Sequence, residues 1–224
     1  MNIVHNWRFL RQFLRRPKVI GAVAPSSRAL ATAVCGPYRR AAGSVRLLEV
    51  GAGTGSITRH IGTILGSDDR LDLCEIDAEL ASVLARDVLT NGNFAPAVAD
   101  GRVRLLNMPV QEIEDPDGYD FVISGLPLTS FDLESVRSIL EVIRRALKPG
   151  GVFSYFEYIA LRPLSRTCAI GRRRARIRGV SAFLTRHIRD HQFSRQTVLA
   201  NFPPAHARHF RYDEATESPA SLCA

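Results

Sequence analysis

Apolar residues along the chain alternate between short continuous runs and longer stretches with helical spacing. The short runs are typical of buried strands, and several of them lead directly into glycines or an acid. They predict strands at 44–50, 70–77, 102–108, 119–128 and 151–160, with two more near 196–202 and 207–212. Helical spacing predicts helices at 54–65, 78–89 and 132–147. Strands that alternate with helices indicate an α/β protein whose mostly parallel sheet is covered on both faces.

The N-terminal segment combines a helical apolar face with basic side chains. Helical spacing runs through residues 2–16, and Pro17 ends this predicted helix. The apolar face and its basic flank are formed by Ile3, Trp7, Leu10 and Leu14, and by Arg8, Arg11 and Arg15. Ser26 or Ser27 can cap a second helix at about 27–36. By itself the first helix fits a membrane surface, a partner helix or internal packing.

Composition limits the partners and the compartment. The 224 residues carry a formal net charge of +8, which favours a polyanionic partner, either nucleic acid or an anionic lipid surface. The four cysteines show neither a disulfide framework nor zinc-site spacing, so we expect a reducing compartment and no metal. No apolar run approaches the roughly 18 residues that span a bilayer, and charges interrupt any signal-peptide core. We therefore expect a protein that is soluble or lies on a membrane without crossing it.

The sharpest chemical signal lies at 47–55, where a predicted strand runs into the glycine-rich stretch Gly-Ala-Gly-Thr-Gly. Gly51, Gly53 and Gly55 allow a tight turn and let a ligand approach main-chain N–H groups at the start of a helix. The pattern G-x-G-x-G differs from the dinucleotide-binding pattern G-x-G-x-x-G. Glu49 precedes the first glycine by two residues, where it would repel a pyrophosphate but suits the amino group of S-adenosylmethionine.

Polar residues after two further predicted strands support the same cofactor. Glu75 closes the second strand, where a carboxylate can accept both ribose hydroxyls. Asn107 follows the third strand and can reach the adenine, which Ile76 and Met108 would flank. Ligands of open α/β sheets bind at the C-terminal ends of the strands. Any one of these residues has an ordinary explanation as a turn glycine or a surface acid, but the ordered set predicts an S-adenosylmethionine site.

With these motifs, the chain resembles the class I S-adenosylmethionine-dependent methyltransferases over about residues 25–215. It is most similar to the soluble bacterial phospholipid N-methyltransferases, on the stretches FLRRPKVIGAVAPSSRALA, VISGLPL and VLANFPPA. The resemblance implies a Rossmann-like sheet of about seven strands and methylation of phosphatidylethanolamine toward phosphatidylcholine. It also implies a peripheral enzyme that uses an N-terminal amphipathic helix to hold anionic membranes. We expect a monomer at the inner face of the cytoplasmic membrane.

The predicted domain organisation has three parts. Residues 1–24 form a membrane-binding helix and linker, 25–215 the methyltransferase domain and 216–224 a flexible tail. Membrane contacts are expected from Trp7, Arg8, Leu10, Arg11, Leu14 and Arg15, and Ser26 should lie near the cofactor. Within the domain, 161–190 is predicted to be a basic insertion at one edge, with nine arginines and one acid. Such a segment fits an anionic surface or a solvated loop without a ligand.

The stretch Ser124-Gly125-Leu126-Pro127-Leu128 separates two classes of acceptor. Adenine N-methyltransferases carry motifs such as Asn-Leu-Pro-Tyr or Asp-Pro-Pro-Tyr at this place, and the aromatic stacks on the extruded base. Here Leu128 replaces the aromatic and a glycine is inserted. A missing stacking ring forfeits about 1–3 kcal/mol of base binding. The stretch favours an amine acceptor, while an rRNA or DNA adenine methyltransferase and a catalytically silent adaptor stay open as alternatives.

The fifth predicted strand supplies candidates for the amine pocket. Tyr155 and Glu157, with Ser124 from the fourth strand, are expected to line this pocket. Aromatic faces and oxygen acceptors stabilise the positive charge that passes to nitrogen during transfer. Ordinary strand packing explains Tyr155 equally well, and a buried Glu157 needs a partner of some kind. No residue is identified as a general base, and an ornithine lipid or another aminolipid stays open as the acceptor.

Overall fold

One sheet of seven strands runs through the part of the chain that the structure describes. The structure is a computed structural model that describes residues 27–114, 117–159 and 172–212, with 172–176 described through their backbone only. The strands are β1 Arg46–Val50, β2 Arg70–Cys74, β3 Val103–Leu106, β4 Tyr119–Ser124, β5 Leu147–Tyr158, β6 Gln192–Val198 and β7 Ala205–Phe210. Their order is β3-β2-β1-β4-β5-β7-β6, and β7 alone runs in the direction opposite to the other six strands. The predicted mostly parallel, Rossmann-like sheet is confirmed.

Helices cover both faces of this sheet. They are α1 Arg28–Val34, α2 Gly36–Arg39, α3 Thr58–Gly62, α4 Ala78–Leu84, α5 Phe94–Ala99, α6 Leu133–Ala146 and α7 Arg172–His191. A π-helical turn, Ala85–Leu89, continues α4. Side chains from α1 to α5 form the core on one face, and side chains from α6 and α7 form the core on the other. Because β1 alternates between the faces, Leu47 packs in the first core and Leu48 in the second.

The local sequence explains why α6 lies where it does. Asp132 caps the helix, since its side chain accepts a hydrogen bond from Ser135 N (2.8 Å). Val136, Ile139 and Ile143 recur at helical spacing and are buried against the sheet. The helix ends at Ala146, one residue before the Lys-Pro-Gly-Gly stretch that predicted its end. Its apolar face therefore fixes the layer next to β4 and β5.

The structure adds one helix to the predicted elements and revises one prediction. Phe94–Ala99 form the helix α5, although the sequence pattern predicted no element there. The helix accommodates Pro96 because that residue lies in its first turn, where proline is tolerated. The described part of the predicted basic insertion is α7, a helix of 20 residues. Val180 and Leu184 of α7 are buried in the core beside α6. This segment is therefore a covering layer of the sheet, not an added loop at its edge.

The predicted N-terminal helix lies outside the described residues, together with its membrane-contact residues and Ser26. Ser27 is described and caps α1, because its hydroxyl accepts a hydrogen bond from Leu30 N (3.2 Å). Across 27–114, 117–159 and 172–212, no helix has the length and apolar character needed to cross a membrane.

Candidate active site

The glycine loop after β1 is bound to the end of β2 by main-chain hydrogen bonds. Gly51 N donates to Cys74 O at 2.8 Å, and Ala52 N donates to the same oxygen at 3.3 Å. Gly51, Gly53 and Gly55 all have positive φ angles of +73°, +57° and +85°. An L residue is strained in this region of φ, so the turn depends on glycine. The loop thus lies at the C-terminal edge of the sheet, where β1 and β2 end.

The three glycines differ in what surrounds them. A Cβ on Gly51 would lie 2.5 Å from Leu126 Cδ2, and one on Gly55 would lie 2.7 Å from Leu84 Cδ1. These two glycines are therefore required by packing inside the protein. A Cβ on Gly53 would meet no heavy atom within 4 Å outside the adjacent residues. Gly53 thus leaves open space against the main chain, as a bound ligand requires.

Glu75 lies beside Gly53 and is buried. Its two carboxylate oxygens accept hydrogen bonds from Gly53 N (2.8 Å) and Asp77 N (2.9 Å). Burial raises the pKa of Glu75, and the two N–H donors act in the opposite direction. The carboxylate joins the glycine loop to the end of β2, which is where the sequence predicts the ribose site.

The residues predicted to surround the adenine lie next to Glu75. Asn107 Nδ2 donates to Glu75 O at 2.7 Å, so the side chain that follows β3 is tied to the residue that follows β2. Met108 accepts a hydrogen bond from the Cys74 thiol through its main-chain oxygen (3.2 Å). Ile76 and Met108 are both half-buried. The structure therefore brings these three residues to the same edge as the glycine loop.

Glu49 is placed under the loop, on the face that carries α3. Only 1% of the residue is exposed, and Thr58 Oγ1 donates to its carboxylate at 2.8 Å. Burial is the largest effect on its pKa, which rises to about 8; Thr58 lowers it, and the nearby Glu75 raises it further. The sequence predicted the acid but not Thr58, its partner nine residues later. A cation bound at the loop would lie near two buried acids, Glu49 and Glu75.

The loop after β4 contacts the glycine loop directly. Gly125 N donates to Val50 O at 2.8 Å, and a Cβ on Gly125 would lie 2.6 Å from Gly51 O. The glycine that the sequence showed as an insertion is thus required by the close approach of two main chains. Ser124, at the end of β4, is buried, and its hydroxyl accepts a hydrogen bond from Leu126 N (3.2 Å). The ends of β1 and β4 therefore form one continuous surface.

Tyr155 and Glu157, which were expected to line an amine pocket, lie in the protein interior. Tyr155 stacks between Phe153 and Phe210, with ring centroids 5.7 and 5.5 Å away. Glu157 is buried and accepts a hydrogen bond from Arg208 Nε of β7 at 3.3 Å. Ordinary strand packing explains the tyrosine, and the buried carboxylate has the partner that it needs. The sequence missed Arg208, whose only signal is a charge within a predicted strand.

S-adenosylmethionine fits the site formed by these residues. The open space at Gly53 lies beside Glu75, and the sulfonium and ammonium charges of a ligand bound there would favour the ionised form of both buried acids. Among the described residues, no three His, Cys, Asp or Glu side chains are arranged as a metal site.

Comparisons with known proteins relate the chain to methyltransferases. The profile of a methyltransferase domain family matches residues 47–151, from β1 into β5. The chain is 34% identical over 148 residues to the ornithine lipid N-methyltransferase of Singulisphaera acidiphila. This alignment covers 65% of this chain and 74% of that protein. The chain is also 30% identical over 116 residues to a ubiquinone/menaquinone biosynthesis C-methyltransferase of Stutzerimonas stutzeri. That alignment covers 50% of this chain and 41% of the other protein.

Solved structures show the same fold. The N-methyltransferase NodS of Bradyrhizobium japonicum, in complex with S-adenosylhomocysteine, superposes with a TM-score of 0.60 at 15% identity, over 93% of this chain and 99% of that one. The glycopeptide N-methyltransferase MtfA, complexed with sinefungin, superposes with a TM-score of 0.60 at 13% identity, over 84% of this chain and 87% of that one.

Proposed function

The chain belongs to the class I S-adenosylmethionine-dependent methyltransferases, and on this basis we propose that it methylates the amino nitrogen of an aminolipid of the ornithine-lipid class. The observation that carries the proposal is the similarity to an ornithine lipid N-methyltransferase, of which the alignment covers 74%. Phosphatidylethanolamine, the acceptor first expected from the sequence, becomes the alternative substrate. Both acceptors present a primary amine at a bilayer surface.

The cofactor-binding residues have separate tasks in this proposal. Glu75 accepts hydrogen bonds from the ribose hydroxyls, and Asn107, Ile76 and Met108 surround the adenine. The open main chain at Gly53 borders the methionine part. Bound S-adenosylmethionine supplies an electrophilic methyl group on a sulfonium. Transfer would break the sulfur–carbon bond, form a carbon–nitrogen bond and leave S-adenosylhomocysteine; the amine must react as the free base, after its ammonium proton has passed to solvent water.

The acceptor amine is delivered to the loop after β4. The contact between Gly125 and Gly51 O holds this loop against the glycine loop, so an amine at the end of β4 faces the cofactor. Holding two reactants in line and in contact accounts for much of the rate of such a transfer. The described residues at the end of β4 contribute mainly by position; the Ser124 hydroxyl accepts a hydrogen bond from Leu126 N and keeps its own proton for a further partner.

A nucleic-acid base is less well supported as the acceptor. Leu128 stands where adenine methyltransferases place a stacking aromatic, and only 2% of Leu128 is exposed. It packs in the core beside Phe131 and α6, so neither its chemistry nor its position supports stacking on a base. The net charge of +8 then suits an anionic membrane. In this proposal the enzyme works as a monomer at the inner face of the cytoplasmic membrane, held there by its N-terminal helix.

Methyl transfer to defined vesicles tests the proposal. Purified protein is incubated with isotopically labelled S-adenosylmethionine and phosphatidylglycerol vesicles that contain either ornithine lipid or phosphatidylethanolamine, and the lipids are analysed by mass spectrometry. We expect methylated ornithine lipid, with less or no product from phosphatidylethanolamine. The Glu75→Ala variant is the matched control and should give no product from either. Methylated RNA in a parallel reaction, with no methylated lipid from either vesicle, would overturn the proposal.

A further inference from the structure

The hairpin between β6 and β7 presents two large apolar side chains to solvent. Leu199 is 75% exposed and Phe202 is 77% exposed, the highest values among the large apolar residues that the structure describes. A single exposed apolar residue is ordinary on a soluble protein, but two side chains this exposed on one short turn are a candidate contact surface. We call residues 199–204 the hairpin tip.

The hairpin tip lies at the C-terminal edge of the sheet, beside the candidate active site. β6 ends at Val198, which pairs with Ala205 at the start of β7, and Ala205 pairs with Tyr158 at the end of β5. β7 and β6 are two and three strands away from β4. At the usual spacing between strands, the hairpin tip lies about 10–14 Å to the side of β4, and its base pairs with β5 three residues, about 10 Å, beyond the partner of Ser124. A surface that contacts the hairpin tip therefore also lies next to the acceptor side of the active site.

Hydrogen bonds hold the hairpin tip in its shape. Asn201 is buried; its side chain accepts from Ser27 N (2.8 Å) and donates to Pro203 O (2.7 Å). Ile159 N donates to Pro204 O at 2.9 Å, which fastens the other side of the turn to the end of β5. Leu199 and Phe202 are thus displayed on a fixed loop on either side of a buried asparagine.

The position of Ser27 indicates what contacts the hairpin tip. Residues 1–26, which precede Ser27, contain five Lys or Arg and no Asp or Glu, and the sequence predicts a basic amphipathic helix within them. Because Ser27 is hydrogen-bonded to Asn201, this basic segment joins the domain at the hairpin tip. Exposed Arg28 follows at the same place. Apolar side chains beside a cationic segment match an anionic bilayer, which offers a charged surface above an apolar layer.

We propose that the hairpin tip is a membrane-insertion element, in which Leu199 and Phe202 enter the interfacial layer of an anionic bilayer next to the active site. This inference rests on the proposed function, because it assumes that the acceptor is a lipid. The hairpin tip orients the C-terminal edge of the sheet toward the bilayer, and the N-terminal segment supplies the electrostatic attraction. A lipid amine then reaches the end of β4 without leaving the membrane surface.

A single tryptophan placed at the hairpin tip tests insertion directly. Trp7 is the only tryptophan in the chain, so Phe202→Trp in a Trp7→Phe background reports on this site alone. The matched control is Phe193→Trp in the same background, because Phe193 is 48% exposed and lies at the opposite edge, where β6 begins. Vesicles contain phosphatidylglycerol and phosphatidylcholine with brominated acyl chains. We expect a blue shift and strong quenching for position 202 and neither for position 193.

Removal of the apolar side chains tests whether insertion matters. The variant Leu199→Ser with Phe202→Ser should lose at least about tenfold in vesicle partitioning at unchanged melting temperature, since two large apolar side chains no longer leave water. The control pair Val98→Ser with Phe193→Ser should partition like the parent. Methyl transfer to the aminolipid in vesicles should fall with partitioning, and transfer to the same lipid in detergent micelles should stay unchanged.

The outcomes separate this inference from the proposed function. Quenching at position 202 with no methylated aminolipid supports the insertion element and overturns the proposed acceptor. Methylated aminolipid with equal quenching at positions 202 and 193 overturns the insertion element and leaves the acceptor standing. A blue shift at position 202 that appears without vesicles as the protein concentration rises would identify a contact between copies of the chain, and it would also overturn insertion.

Discussion

Replacement of Gly53 by alanine should abolish cofactor binding at a modest cost in stability. Gly53 has a φ of +57°, and a Cβ there would meet no protein atom within 4 Å beyond its neighbours. The cost to folding is then only that of an L residue in the left-handed region, about 1–2 kcal/mol. In a chain of this size each kcal/mol corresponds to a fall of roughly 2–4 °C in melting temperature. The new methyl group would occupy the space in which we place the ligand.

Gly92 provides a matched control for this substitution. Its φ is +56°, and a Cβ there would also meet nothing within 4 Å, but Gly92 lies in an exposed turn before α5. Gly92→Ala should therefore lower the melting temperature by the same few degrees and leave cofactor binding intact. Gly51→Ala should lower the melting temperature more than either of these variants, because its Cβ would lie 2.5 Å from Leu126 Cδ2.

Isothermal titration calorimetry with S-adenosylmethionine measures the difference. We expect at least a tenfold weaker affinity for Gly53→Ala than for Gly92→Ala, which corresponds to about 1.4 kcal/mol of binding free energy. Scanning calorimetry of both variants supplies the stability comparison. Equal cofactor affinity in the two variants would refute the placement of the cofactor against Gly53. A much lower melting temperature for Gly53→Ala than for Gly92→Ala would refute the open space.

Three further predictions test other parts of the molecule. The pKa of Glu49 is about 8 in the folded protein, against an ordinary value of 4.5. Between pH 4.5 and 8 the folded state therefore keeps a proton that the unfolded state has lost. The free energy of unfolding then falls as pH rises through this range. Glu49→Gln should remove this fall and be the more stable protein at pH 8 by up to roughly 5 kcal/mol, with little difference below pH 4.5; a pH-independent difference in urea denaturation would contradict this. Arg208→Met should destabilise by about 3–5 kcal/mol because it leaves the Glu157 carboxylate buried without that partner, and Glu157→Met added to it should recover most of the loss. If the double variant is no more stable than the single one, the pair is not the main reason for the burial of Glu157. Trp7→Ala with Leu10→Glu should abolish sedimentation with phosphatidylglycerol vesicles and leave cofactor affinity in solution unchanged; surviving sedimentation would contradict membrane binding by the predicted helix.

The sequence predicts the first half of the fold well because its strands are buried on both faces. Short continuous apolar runs such as those of β1 and β2 are typical of strands buried on both faces. Each of these two runs leads directly into residues of the candidate cofactor site. The ends of these strands are less well predicted: β2 ends at Cys74, three residues before the predicted limit, and the next residue, Glu75, directs its carboxylate to Gly53 N.

The second half depends on contacts that are distant in sequence. Glu157 and Arg208 are 51 residues apart and meet only because β5 and β7 pair antiparallel, which no local pattern reveals. The sequence pattern did not predict the helix α7, because arginines are interspersed among its apolar residues. Its buried apolar positions include Val180 and Leu184, which lie within this basic segment. The residues of the candidate cofactor site follow strand ends and can be predicted from the sequence, whereas the Glu157–Arg208 pair and the packing of α7 depend on contacts distant in sequence.

The close contact between Gly125 and Gly51 constrains how the acceptor range of this enzyme can evolve. No side chain fits at Gly125, where a Cβ would lie 2.6 Å from Gly51 O, so variation there would damage the cofactor loop before it altered acceptor choice. Leu126 and Leu128 are committed to the core. Thr129 and Ser130 are only half-buried and follow in the same loop. Libraries that seek a new acceptor should therefore randomise Thr129 and Ser130 and hold the glycine pair fixed, which is also the route that natural divergence has open to it.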